Sequence, residues 1–107
     1  MLMLKLSSVS KEFAKIARER LGKRLIFLAL YGSVARGKAS KESDIDIFAI
    51  VADRKAKDEL FGIASEYLMK GVLFSIIVET PAEFRKLREY PFTKSIFKEG
   101  EILYGRI

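Results

Sequence analysis

The sequence predicts an α/β (α+β) fold, a small mixed β-sheet with helices packed on it. Three features lead there. Leu25 to Tyr31 is apolar throughout and Ile45 to Val51 nearly so, and both have strand length. Amphipathic segments of helical period precede and follow these runs. Thr80-Pro81-Ala82-Glu83 is a helix start in which Thr caps, Pro takes the first helical position and Glu reaches back. Helices on one side of a sheet, in a layered sandwich, account for this order.

In chain order, Ser10 is placed to cap a helix from about Lys11 to Leu21, with Phe13, Ile16, Ala17 and Leu21 on one face and Gly22 as its stop. Leu25 to Tyr31 reads as a strand covered on both faces at the centre of the sheet. Ser33 to Arg36 is a short helical turn closed by Gly37, and Lys38 to Ser43 a polar loop. Ile45 to Val51 is the second strand. A polar stretch leads into a helix to about Lys70, with Leu60, Ala64, Tyr67 and Leu68 inward and Phe61 beside them. Val72 to Glu79 is a third strand. The capped helix from Thr80 runs to about Glu89, and a shorter one from Phe92 to Glu99 ends at Gly100, its Phe92, Ile96 and Phe97 closing the core. Glu101 to Tyr104 is a last edge strand. Residues 1–107 are expected to form one domain, because this length holds one core.

Composition narrows the chemistry. With no Cys there is no disulfide, thiolate ligand or thiol nucleophile, and with no His there is no Ser-His-Asp triad. A catalyst built from this chain must use carboxylates, hydroxyls, cations and a metal. Twenty Lys and Arg against 14 Asp and Glu give a net charge of +6, which suits a polyanionic partner or simply a solvated basic surface. The basic residues form no dense run, so a nucleic-acid tail is not indicated. No apolar stretch approaches the ~20 residues that span a bilayer, and the N-terminus does not read as a signal peptide. A cytoplasmic location is the expectation.

The informative segment runs from Leu30 to Ile47. Asp44 and Asp46 are two residues apart at the start of an apolar strand, so they face the same side, with Cα atoms roughly 6–7 Å apart. Two carboxylates at that spacing chelate a hard cation. Mg²⁺ fits best, since it takes oxygen ligands, keeps waters and is completed by substrate phosphates. Ahead of them, a buried strand ends in Gly32-Ser33 and enters a turn whose free N–H groups suit phosphate. Gly32 admits a triphosphate to the backbone, and the Ser33 hydroxyl donates to it. Arg36 either offers its guanidinium fork to the same phosphates or is a solvated turn residue.

Gly32-Ser33, ten residues, then Asp44-Ile45-Asp46 resembles the signature of the DNA polymerase β nucleotidyltransferase superfamily. The fuller Gly-Ser-x-Ala-Arg-Gly with Ser-Asp-Ile-Asp is similar to the minimal nucleotidyltransferases (MNT) paired with HEPN partners in toxin–antitoxin modules. The resemblance covers residues 25–51 and extends more faintly to the C-terminal tail. It implies a polymerase β-like fold, with Mg²⁺ on Asp44 and Asp46 and ATP phosphates on Gly32 and Ser33. It also implies in-line attack of a hydroxyl on the α-phosphate, and AMP transfer to a tyrosine of a HEPN partner. Elements joined at this spacing are far more specific than either alone.

The resemblance also implies a third carboxylate on the next strand. There this sequence reads Val-Leu-Phe-Ser-Ile-Ile-Val-Glu, with Ser75 at the expected place and Glu79 two pleats along the same face. Glu79 serves as a third ligand only under a different register; otherwise it simply precedes the Thr80 cap. Two functions from different classes follow: an AMP-transferring enzyme, or a nucleotide-binding antitoxin module whose work is to hold a HEPN-type partner. A nucleic-acid-directed transferase fits less well in a chain with no added grip domain. Exposed edge strand and apolar termini leave room for a homodimer. Tyr31, Tyr67 and Tyr104 read as core or rim aromatics.

Overall fold

The computed structural model describes residues 2–35, 37 and 44–106. Helix α1 (Leu2–Leu21) leads through a 3-10 turn (Gly22–Arg24) into β1 (Leu25–Tyr31). A one-turn helix α2 (Gly32–Ala35) follows, then β2 (Ile45–Val51), α3 (Arg54–Leu68), β3 (Phe74–Glu79), α4 (Pro81–Leu87), α5 (Pro91–Glu99) and β4 (Glu101–Gly105). The sheet has the order β3-β2-β1-β4. β1 is antiparallel to β2 and to β4, while β2 and β3 run parallel. A parallel pair needs a crossover, and α3 supplies it. The mixed sheet with packed helices is the expected fold class, and both central strands have the expected bounds.

The strands β1 and β2 are apolar at odd and even positions alike, so both faces of the sheet need cover. α1 and α3 take one face, against Leu28, Leu30, Ile45, Ile47, Ala49 and Val51. α4 and α5 take the other, against Phe27, Ala29, Phe48 and Ile50. The expectation of helices on one side is therefore corrected: a sheet buried twice over demands two helical layers. A bulge in β1 between Leu25 and Phe27 changes the alternation, so Leu25 joins the α1/α3 layer and Phe27 the opposite one. The fully buried Phe13, Phe27 and Phe48 anchor the two layers, each worth roughly 1.5–3 kcal/mol of apolar transfer.

Ser10 is no cap. The helix continues through the apolar N-terminal segment, and buried Ser10 bonds its hydroxyl back to the Leu6 carbonyl at 2.9 Å. In α3 the cap is Asp53, which accepts from the Ala56 amide at 2.9 Å. The buried face of α3 is Ala56, Leu60, Ile63 and Tyr67, whereas Phe61 and Leu68, expected to lie inward or beside that face, are exposed. The Thr80 capping box forms as the sequence predicts. In α5 only Ile96 of the three expected core residues is buried; Phe92 and Phe97 are exposed. No helix among the described residues is long and apolar enough to cross a membrane.

Candidate active site

β1 and β2 bring the two expected halves of the site together. Tyr31, the last residue of β1, stands opposite Asp46. Gly32 then turns the chain away with φ +76°, a left-handed value suited to glycine. A Cβ at Gly32 would collide with Asp46 Oδ2 and lie 3.0 Å from Asp46 Cγ. The missing side chain is thus what allows the carboxylate and the start of α2 to share one space. Asp44 lies two residues before Asp46, immediately ahead of β2, and is exposed. Ser33 is half-buried in the first turn of α2, and Gly37 donates its N–H to the Val34 carbonyl at 3.2 Å, closing that turn. Arg36 and the 38–43 loop lie outside the described residues.

The parallel register pairs Asp46 with Ser75 and Ile50 with Glu79. Tyr31, Asp46 and Ser75 therefore form one row across three strands, on the face that α4 and α5 cover. Glu79 is four register steps from that row, roughly 13 Å by strand rise. It does not join the aspartates as a third ligand, because the hydrogen-bonded ladder fixes β3 along β2. Glu79 is instead 7 % exposed at the far end of β3, with Oε1 lacking a hydrogen-bond partner. Burial first, and then Glu83, push its carboxyl above the ordinary range, with Lys57 opposing.

Among the described residues, no group of three or more Asp, Glu, His or Cys side chains is arranged to hold a metal. Asp44 and Asp46 are a hard, two-carboxylate donor set, and this donor chemistry fits Mg²⁺ completed by water and phosphate oxygens. Tyr31 is a neighbour whose part sequence reasoning missed. It is half-buried beside Asp46, and burial, then the Asp46 charge, raise its phenol above the usual value. Its ring meets Phe92 of α5 edge-on, with centroids 5.9 Å apart and planes at 84°. Its place just ahead of Gly32 was visible in the sequence; its pairing across from Asp46 was not, because a loop of about a dozen residues leaves register open.

Known proteins similar to this chain identify its family and fold. The family model described as "Polymerase beta, Nucleotidyltransferase" matches residues 11–106. A Methanocaldococcus jannaschii protein named "putative protein adenylyltransferase" is 36% identical over 95 residues, covering 88% of this chain and 93% of that protein. Among solved structures, a toxin–antitoxin with AMP-PNP superposes with a TM-score of 0.57 at 20% identity, covering 90% of this chain and 73% of that one. The complex of tri-AMPylated Shewanella oneidensis HEPN toxin with MNT antitoxin superposes with a TM-score of 0.52 at 19% identity, covering 92% and 72%. At such identities the structures speak for the fold. With the sequence signature, the site geometry and a family match across most of the chain in hand, this protein belongs to the polymerase β nucleotidyltransferase family.

Proposed function

We propose that this protein is a Mg²⁺-dependent adenylyltransferase, moving AMP from ATP to a hydroxyl such as a tyrosine of a HEPN-type partner. The observation that carries the reading is the close approach of Gly32 and Asp46, which sets a carboxylate beside the first residue of α2. The M. jannaschii relative's name and the toxin–antitoxin structures support the choice of adenylyl transfer and partner.

In this reading the amides of Gly32 and Ser33 and the Ser33 hydroxyl bind the triphosphate, and Gly32 keeps the approach free. Arg36 adds a positive fork to the same phosphates. Asp44 and Asp46 would hold Mg²⁺, which would neutralise charge at the reacting phosphate. Asp46 stands between Tyr31 and Ser75 on the sheet, with its carboxylate against Gly32. The acceptor hydroxyl oxygen bonds the α-phosphorus and releases its proton to water, the bond from that phosphorus to the oxygen bridging it to the β-phosphate breaks, and pyrophosphate departs with that oxygen.

Ser75, at the register position beside Asp46, favours a second reading. With a hydroxyl where the family resemblance calls for a third acid, the protein would bind nucleotide and partner while transferring slowly or not at all. Incubation with labelled ATP, Mg²⁺ and the product of a neighbouring HEPN reading frame separates the two. Label on the partner, lost in Asp44→Ala and Asp46→Ala, establishes transfer. A complex that survives the double substitution and never takes label establishes the binding module.

A further inference from the structure

We propose that Phe92, backed edge-on by Tyr31, is the stacking platform for the nucleobase of the bound triphosphate. This inference rests on the nucleotidyltransferase reading of the Gly32–Asp46 site. Phe92 opens α5 directly after Pro91 and is 54% exposed, although it is a large apolar ring. Its position is nonetheless held. Thr93 and Ile96 of the same helix are buried, Ser95 donates its hydroxyl to the Phe92 carbonyl at 2.7 Å, and the Tyr31 ring packs against it. A ring fixed by its surroundings yet left to solvent is well suited to stack on a planar group.

The two flanks of Asp46 differ. On the β1 side stands Tyr31, the residue before the phosphate-binding Gly32, with Phe92 beyond it. On the β3 side stands Ser75, small and exposed, at the edge of the sheet. The aromatic flank adjoins the residues assigned to the triphosphate, so it suits the base carried on that same molecule. The open Ser75 flank leaves room for an incoming acceptor. A stacking platform reads ring area and not donor pattern, so ATP and GTP should bind alike and CTP and UTP more weakly.

Calorimetric titration with Mg-ATP and with Mg-tripolyphosphate tests the assignment in the wild type, Phe92→Ala and Phe92→Trp. Phe92→Ala should weaken ATP binding about tenfold, within the usual worth of base–aromatic stacking. Tripolyphosphate binding should stay unchanged, and Phe92→Trp should keep ATP affinity. Equal losses for both ligands would mean that the ring merely supports the site's shape, and the proposal falls. Unchanged ATP affinity with slower transfer would assign the ring to the acceptor and likewise overturn it. A wild type that binds neither ligand would defeat the nucleotidyltransferase reading itself, and the platform with it.

Discussion

Gly32 and Asp46 occupy space that one additional methyl would destroy: a Cβ on Gly32 would strike Asp46 Oδ2. Gly32 also sits at φ +76°, where an L side chain costs about 1–2 kcal/mol. Gly32→Ala should therefore lose ATP binding by roughly tenfold or more, about the size of one displaced charge-assisted hydrogen bond. It should also lower the unfolding free energy by about 1–2 kcal/mol. Calorimetry and urea unfolding read the two effects separately; unchanged ATP affinity would move the phosphate site away from this glycine.

Ser75 beside Asp46 invites the reverse experiment. Ser75→Asp places a second carboxylate in the row, beside Asp46, where like charges on adjacent strands cost about 0.2–1 kcal/mol without a cation. The variant should melt below the wild type in EDTA and gain more from added Mg²⁺, since a ligand that binds only the folded state stabilises it. A thermal shift with Mg²⁺ no larger than the wild type's would show that position 75 does not face the metal.

Glu79 predicts a pH effect far from the site. Its raised carboxyl means that the folded chain holds this proton more tightly than the unfolded chain does. Its contribution is present below the ordinary carboxylate range and is lost as pH rises through the raised folded value. Glu79→Met removes the buried, unpartnered oxygen and should be more stable than the wild type at pH 8 by about 1 kcal/mol. That gain should shrink as pH falls through the raised folded value and vanish below the ordinary carboxylate range, as read by denaturant midpoints across pH. A variant less stable at pH 8 would show that the carboxylate has a stabilising partner.

Tyr67 ties α3 to α1. Its hydroxyl donates to Glu12 Oε1 at 2.6 Å, and its ring packs edge-on against Phe13 and Phe74. Tyr67→Phe keeps the packing and should cost about 1.5–3 kcal/mol, the range for a hydrogen bond to a charged acceptor. Nucleotide binding should be untouched, because this layer lies on the face opposite Asp46. A loss of ATP affinity in Tyr67→Phe would reveal coupling between the two layers.

Several features were legible because they are local. The β1 and β2 boundaries follow from uninterrupted apolar runs, the Thr80 cap from four adjacent residues, and the family from Gly32-Ser33 and Asp44-Ile45-Asp46 at their spacing. The start of α1 was misread because Ser10 has two local options, capping or back-bonding, and the apolar residues before it favour a longer helix.

Sequence alone determined which residues make the two central strands and which glycine ends the first of them, since these depend on neighbours along the chain. Only the tertiary structure decided that Ser75 and not Glu79 stands next to Asp46, that Tyr31 faces the same carboxylate, and that α4 and α5 cover the second face. These are matters of register and layer, set by hydrogen-bond ladders and side-chain packing between segments far apart in the chain. Local propensity carries no information about which rung of one strand meets which rung of another.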